Sequence, residues 1–368
     1  MKPSKALTIK KHEAQLRVYG GKITFSMKSF NTIAWIGIIL FLLIGSCTYN
    51  NVDELKLRNW SYINTSNSTL PSNNNAGFKK DSKGNVWVNH FEKFISKIDH
   101  FRNITKYEVP FSDSIGSPRY IKAMAIDKLD RVWVGSQSGP LLCLENNNWN
   151  KVYCKGFDPN VWSIDFDENN NLWFGTVPDG LFKMEGDSFI NWVFFNSNIA
   201  GSEIWSIAVK NSREIFFYTE ISPPWVGTQT SMSFFDGSDF KVLANLKYNP
   251  SIMGLGGKFC LKNNTTLAIA GKDGIYEFIN GHFKKFGDES IYLKYGSLVN
   301  DFIYDAKTGY WIATQDGIFN YQINKSAHYN TSNSGLIQNY VNSIVFDDKN
   351  NLFIGTLDKG ICIFNNNN

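Results

Sequence analysis

The stretch Asn170-Asn-Leu-Trp-Phe-Gly-Thr176 returns in variant form along most of this chain, and that recurrence limits the possible folds more than any other feature. Asn85-Val-Trp-Val-Asn89, Arg131-Val-Trp-Val-Gly-Ser136, Glu214-Ile-Phe-Phe-Tyr-Thr219, Thr266-Leu-Ala-Ile-Ala-Gly271, Tyr310-Trp-Ile-Ala-Thr314 and Asn351-Leu-Phe-Ile-Gly-Thr356 are its other copies. Their central residues, Trp87, Trp133, Trp173, Phe216, Ala268, Trp311 and Phe353, lie 46, 40, 43, 52, 43 and 42 residues apart. Short apolar runs at a period of ~40–50 residues mark the blades of a β-propeller.

The clearest unit, Val161–Trp192, holds four strand candidates: Ser163–Asp167, Leu172–Thr176, Leu181–Met184 and Phe189–Val193, separated by Asn-, Gly- and Asp-rich turns. Four antiparallel strands per repeat is one blade. The expected fold is therefore all-β, a seven-bladed propeller of four-stranded antiparallel blades. Its closure is legible at the chain ends. Tyr329-Asn-Thr-Ser-Asn-Ser-Gly-Leu336 repeats Ile63-Asn-Thr-Ser-Asn-Ser-Thr-Leu70 at a constant offset of 266, while the seventh unit stops at Asn365 after three strands. The missing outer strand is expected from Leu57–Tyr62, which leaves no free edge.

The segment ahead of the repeats reads as a leader. Ile33–Gly45 is a run of 13 apolar residues preceded by Lys28, short of the ~20 that cross a bilayer but within the range of a signal-peptide core. It runs into Leu43-Ile-Gly-Ser-Cys47, which resembles a bacterial lipobox and implies cleavage before Cys47, lipidation of that residue and tethering to the membrane. An uncleaved signal anchor is the alternative. Met27 followed by this core is a signal peptide of ordinary length by itself, so residues 1–26 read as an extension ahead of the true start. The expected organisation is thus 1–46 leader, 47–56 lipidated tether and 57–368 propeller. Thr48, rather than Asp, after the cysteine favours the outer membrane by resemblance to the bacterial sorting rule.

With the leader removed, charge excludes one class of partner. Residues 1–46 carry seven Lys/Arg against one Glu, and the remainder holds 30 basic and 32 acidic residues. No basic footprint for nucleic acid survives. Cys143, Cys154, Cys260 and Cys362 lie in or beside predicted strands without metal-ligand spacing and read as small buried hydrophobes; a Cys143–Cys154 disulfide is not expected. Asp81, Asp127, Asp167, Asp305 and Asp347 each stand six residues before a marker. A Ca²⁺ loop would need a closing bidentate acid that is missing, so they are read as Asx turns. No metal or other cofactor is expected.

The pattern Asn-Thr-Ser-Asn-Ser-Gly-Leu, then Val-x-x-Ile-x-x-Asp-x-x-x-Asn-Leu-Trp-x-Gly-Thr, resembles the two-component regulator propeller repeat over residues ~57–365, with the fourth and fifth units departing from it. The resemblance implies kinship with periplasmic sensor propellers of hybrid histidine kinases and with free-standing exported propellers.

A site is expected where the loop before the first strand meets the loop after the second. Eleven residues before each marker stand Ala76, Lys122, Trp162, Trp205, Gly257, Asn300 and Asn342; two residues later every position is apolar. The fourth unit expands its loop after the second strand to Tyr218–Ser231. Trp162, Trp205 and Trp225 are expected as stacking surfaces, with Lys122, Glu220 and Asn300 as polar partners, for a small ligand such as a glycan. The plainer alternative is that these tryptophans pack between blades. Three function classes remain open. The first is a non-catalytic binding or sensing lipoprotein of the envelope, and the second a docking ring in an envelope complex. The third, less supported, is a streptogramin-lyase-like enzyme, which needs a histidine base beside a metal. His90, His100, His282 and His328 read as lone surface histidines, of which His90 alone falls on the expected binding face.

Overall fold

The computed structural model describes the backbone of residues 15–19 and 22–26 and, within residues 59–366, all but 91, 112–119, 138, 155–158, 222–228, 246–257, 263–265, 272–273, 288–298 and 323–324. The chain divides into two compact units, residues 1–55 and 56–368. In the first, Gln15–Tyr19 pairs antiparallel with Lys22–Ser26 as a hairpin. The signal-peptide core, the lipobox and Cys47 lie outside the described residues. Among the described residues no helix is long and apolar enough to cross a membrane.

The second unit is a seven-bladed β-propeller of seven four-stranded antiparallel sheets. Six blades take their strands in chain order from the channel outward. Their inner strands are Gly77–Lys80, Ile121–Ile126, Val161–Phe166, Glu203–Asn211, Phe259–Lys262 and Val299–Asp305. Blade 7 starts at Val341–Phe346 and borrows its outer strand, Trp60–Ile63, from the beginning of the unit. There Trp60 faces Phe364 and Ile63 faces Ile361, and Asn365 N–H donates to the Asn59 carbonyl at 2.8 Å. Each inner strand touches the next, and the last touches the first.

The repeated marker explains why the blades stack. Seven apolar clusters occupy the seven blade interfaces, and the marker of each blade plugs the interface with the following one. Trp87 enters the blade 1–2 cluster, Trp133 the 2–3 cluster, Trp173 the 3–4 cluster and Trp311 the 6–7 cluster. Phe353 closes the ring between blades 7 and 1. Removing one such plug costs about 3–5 kcal/mol in transfer and cavity terms.

The aspartates form the expected turns and also hold the plugs. Asp167 Oδ1 accepts from the Asn169 and Asn171 N–H groups, both at 2.9 Å, while Oδ2 accepts from Asn171 Nδ2 and Trp173 Nε1. Asp81 and Asp127 make the same bonds to Trp87 and Trp133. The turn needs a left-handed residue at its fourth position, supplied by Asn170 (φ 65°), Asp130 (φ 58°) and Asn350 (φ 60°), types that tolerate that region. In blade 7 the marker is Phe353, which has no N–H to give Asp347. Arg102 from blade 1 takes its place, with its guanidinium 4.6 Å from the Phe353 ring centroid and 3.9 Å from Asp347 Oδ2.

Blade 5 departs from the pattern because Ala268 leaves its interface short of volume. Tyr310 of blade 6 fills it, and its hydroxyl donates to Glu277 Oε1 at 2.8 Å, which Lys262 also reaches at 2.8 Å. The strand-closing linkers are alike in detail. Asn64 N–H donates to Asn67 Oδ1 at 2.8 Å, as Asn330 N–H does to Asn333 Oδ1, and Leu70 and Leu336 plug the blades beneath.

Closure makes a direct prediction. Deleting residues 55–63 strips blade 7 of its outer strand and exposes the backbone edge of Ile361–Asn365. The deletion is expected to abolish cooperative unfolding in a calorimetric scan; an unchanged melting temperature would contradict the closure.

Candidate ligand site at the channel mouth

The upper face of the ring carries the linkers into the inner strands and the turns after the second strands. The chain enters blade 7 at Trp60 beside Asn365, so the start of the propeller lies on the opposite, lower face. Five of the positions picked out by sequence share one backbone device. The register of the inner strand skips Lys122, Trp162, Trp205, Asn300 and Asn342, each the extra residue of a β-bulge. A bulge frees one residue from the ladder and re-aims its side chain. These five blades therefore present one variable side chain each at the same height of the channel mouth.

Three of them converge. The Trp162 and Trp205 rings meet edge to face, with centroids 4.6 Å apart and planes at 62°. Lys122 Nζ stands 4.6 Å from the Trp162 ring centroid and 5.8 Å from that of Tyr120. Both tryptophans are half-buried, yet neither indole N–H has a hydrogen-bond partner. A buried donor left unsatisfied costs about 1–3 kcal/mol, so this pair is not the arrangement that interface packing alone would select.

The remaining expected residues fall elsewhere. Asn300 Nδ2 donates to the Val341 carbonyl at 2.8 Å, and Asn342 Nδ2 to the Asn75 carbonyl at 3.1 Å. These amides stitch each blade to the next. Glu220 does not sit in a loop. The second strand of blade 4 runs Glu214–Ile221 and its partner resumes at Gln229, pairing Glu220 with Thr230 and with Glu203. The ladder thus continues into both ends of the expected expansion, from Tyr218 to Ile221 and from Gln229 to Ser231. Trp225 lies outside the described residues.

Below the mouth, a cavity of about 150 Å³ is lined from six of the seven blades, with Lys79, Lys122, Trp162, Lys258, Asp301 and Asn342 among its walls. Its polar lining follows from an edge problem, since the inner strands turn backbone N–H groups toward the channel. Blades 3, 6 and 7 each cap the next. Ile207 N–H donates to Ser163 Oγ at 3.0 Å, Val209 N–H to Asp165 Oδ2 at 2.8 Å, Ile344 N–H to Asp301 Oδ2 at 3.1 Å and Phe78 N–H to Ser343 Oγ at 3.2 Å. Burial pushes the Asp165 carboxyl above the usual range, offset in part by the Val209 N–H and by Lys79.

The histidines depart in part from the sequence expectation. His100 and His282 are exposed. His328 stacks on Phe319 at 4.1 Å and contacts the Asp316 carbonyl. His90 is no surface group. It is fully buried, takes the place that Thr176, Thr314 and Thr356 hold in other blades, and pairs through Nε2 with Ser96 Oγ at 2.9 Å. Burial lowers its pKa to about 4, with the backbone at Asn74 and Ser72 offsetting only part of the effect. A larger ring at a Thr position, covered by the linker of residues 72–74, was the available signal. Among the described residues no three His, Cys, Asp or Glu side chains gather as a metal site. The four described cysteines are free, and burial raises the thiols of Cys143 to about 11 and of Cys260 and Cys362 to about 12.

No family model and no curated protein matches this sequence. Solved structures do. The extracellular domain of a putative hybrid two-component system from B. thetaiotaomicron superimposes with a TM-score of 0.64 at 16% identity, covering 83% of this chain and 41% of that one. The chain spans about two fifths of the length of such domains. A streptogramin B lyase gives a TM-score of 0.65 at 15% identity, covering 83% of this chain and 97% of that one. PorZ, a surface component of the type-IX secretion system of Porphyromonas gingivalis, gives 0.60 at 15% identity, with 80% and 46% covered. At these identities the likeness establishes the propeller fold.

His90 sets a pH dependence. Its folded pKa of about 4 lies below the unfolded 6.5, so the unfolded chain binds the proton first as pH falls. Stability from this group is complete above pH ~6.5 and declines by about 3 kcal/mol by pH ~4. Denaturant titrations of His90→Gln are expected to lack that share of the decline; an identical pH slope in both proteins would contradict the assignment.

Proposed function

We propose that this chain is a lipid-anchored, non-catalytic binding propeller of the bacterial cell envelope, related to the sensor propellers of two-component regulators. Its ligand site is the channel mouth at Trp162, Trp205 and Lys122, with Trp225 and Glu220 kept as the contributions that the sequence of blade 4 suggests. One observation carries this reading. Two tryptophans at consecutive bulges meet over the channel with their N–H groups unpartnered. An aromatic edge-to-face pair with polar neighbours suits a sugar ring or a planar ligand, whose apolar face stacks while its polar groups orient it. The likeness to extracellular domains of two-component systems supports an envelope setting.

The lipid anchor at Cys47 rests on the leader sequence. The lyase reading is weaker, since His90, the one histidine at the expected face, is fully buried against Ser96.

The docking-ring reading has its own observation. The linker between blades 3 and 4 has the same turn as the two closing linkers, with Val193 N–H donating to Asn196 Oδ1 at 2.8 Å. Where those carry Thr-Ser, it carries Phe194 and Phe195, 54% and 92% exposed. Two exposed phenylalanines on one turn suit a protein partner.

A thermal-shift screen of the full chain against envelope glycans tests the proposal. A ligand at ~100 times its dissociation constant adds ~2.7 kcal/mol. The expected result is a hit that Trp205→Ala abolishes without lowering the unliganded melting temperature. A flat screen, together with loss of in-cell cross-links in Phe195→Ser, would favour the docking ring. Cys47→Ser is expected to move the protein from the membrane to the soluble fraction; retention in the membrane fraction would contradict the anchor.

A further inference from the structure

We propose that the channel beneath the tryptophan pair is an anion site, and that the ligand is a small sugar-sized molecule bearing a carboxylate or a phosphate. This deepens the reading of the channel mouth as a ligand site and rests on it. Three lysines from three blades, Lys79, Lys122 and Lys258, line the one cavity, and Asp301 is the sole carboxylate among its described lining residues. Asp301 balances one of the three lysines, which leaves an excess of positive charge, and its oxygens are occupied by neutral donors. Its Oδ1 accepts from Phe302 N–H at 3.0 Å, and its Oδ2 from Ser343 Oγ at 2.6 Å and Ile344 N–H at 3.1 Å. The buried Asp165 accepts from Val209 and Phe166 N–H groups and also interacts electrostatically with Lys79.

Some lysines elsewhere in the ring sit beside acids. Lys80 pairs with Asp348 at 2.7 Å, Lys210 with Glu214 at 2.9 Å and Lys262 with Glu277 at 2.8 Å. Lys79 and Lys258 are in no such pair among the described residues, and both side chains are exposed to the channel they line. Like charges gathered on one cavity repel each other. A channel with low-dielectric walls concentrates that field on whatever enters it. An anion relieves the repulsion. A neutral solute of the same size does not.

The surroundings define the rest of the ligand. Trp162 stands at the rim with Lys122 over its face at 4.6 Å, so a ring stacked on the tryptophan pair places an acidic substituent toward the lysines. In the same wall the Ser163 hydroxyl and the amide oxygen of Asn342 face a ligand with the capacity left after Ser163 Oγ accepts from Ile207 N–H and Asn342 Nδ2 donates to Asn75, suited to sugar hydroxyls. A volume of about 150 Å³ takes one sugar residue or the acidic end of a longer glycan.

The test is calorimetric titration of the full chain with four probes: glucuronate, glucose 6-phosphate, inorganic phosphate and neutral glucose. Glucuronate or glucose 6-phosphate is expected to bind at least tenfold more tightly than glucose. That preference is expected to fall at least fivefold in Lys79→Gln and in Lys258→Gln, whose unliganded melting temperatures should stay at the wild-type value. Raising NaCl from ~50 to ~500 mM, which shortens the screening length severalfold, is expected to weaken the anions and leave glucose unchanged. Binding of glucuronate alone assigns the carboxylate, and binding of glucose 6-phosphate with phosphate assigns the phosphate. Equal affinity for glucose and the anions, anion binding indifferent to both lysine variants, or no anion binding at ~10 mM overturns the proposal. A neutral glycan whose binding depends on Trp205 would leave the channel-mouth site standing while removing the anion.

Discussion

Every blade of this propeller has two apolar faces that only its neighbours can cover, and the fold depends on making that chain of dependence close. The marker side chain of one blade is buried in the interface with the next, from Trp87 between blades 1 and 2 to Phe353 between blades 7 and 1. An open stack of the same blades would leave one face and one strand edge in water. Trp60–Ile63 prevents this by lending blade 7 its outer strand. The Trp60 ring, 4.8 Å from Phe364 and 6.1 Å from Tyr329, ties the borrowed strand into the blade 6–7 cluster. Gly335 is required at this joint, because a Cβ there would come within 2.5 Å of the Trp60 Cβ.

Polar groups follow the same logic of blade serving blade. Inner strands cannot pair across the channel, and in blades 3, 6 and 7 a serine or aspartate caps backbone N–H groups of the following blade. On the lower rim, Ser82 bonds Asp130 of blade 2, Lys128 N–H bonds Asn170 of blade 3, and Ser212 of blade 4 bonds Glu168 of blade 3. These contacts satisfy much of the channel's polar backbone. Against that background the indole N–H groups of Trp162 and Trp205 at the channel mouth remain without a hydrogen-bond partner.

Much of the fold was legible because its determinants are periodic. The markers, the aspartates six residues before them and the 266-residue offset between the ends each report one physical need repeated around the ring. The closing strand was placed within a few residues of its position. What escaped was aperiodic. Nothing in Leu57–Tyr62 fixes the register that makes Trp60–Ile63 the paired segment. Ala268 reads as a weak repeat, and only coordinates bring Tyr310, Glu277 and Lys262 together to fill its place. Arg102 compensates for Phe353 across 251 positions of sequence. His90 was read as a surface group because an isolated histidine in a strand end gives no sign of the linker that covers it. Of the site, sequence placed Lys122, Trp162 and Trp205 on one ring of positions, but the bulge that aims them is a backbone feature, and the amide of Asn300 belongs to the blade 6–7 seam.

The claim on which the functional account turns is that the Trp162–Trp205 pair is a binding surface rather than interface packing. The most direct measurement is the indole N–H region of a ¹⁵N-edited NMR spectrum, with the two signals assigned through Trp162→Phe and Trp205→Phe and followed during titration with a glycan. The account predicts that these two resonances move together and saturably while those of Trp87, Trp133 and Trp173, each bonded to its aspartate, stay in place. Ligand binding that leaves both resonances unmoved would contradict it.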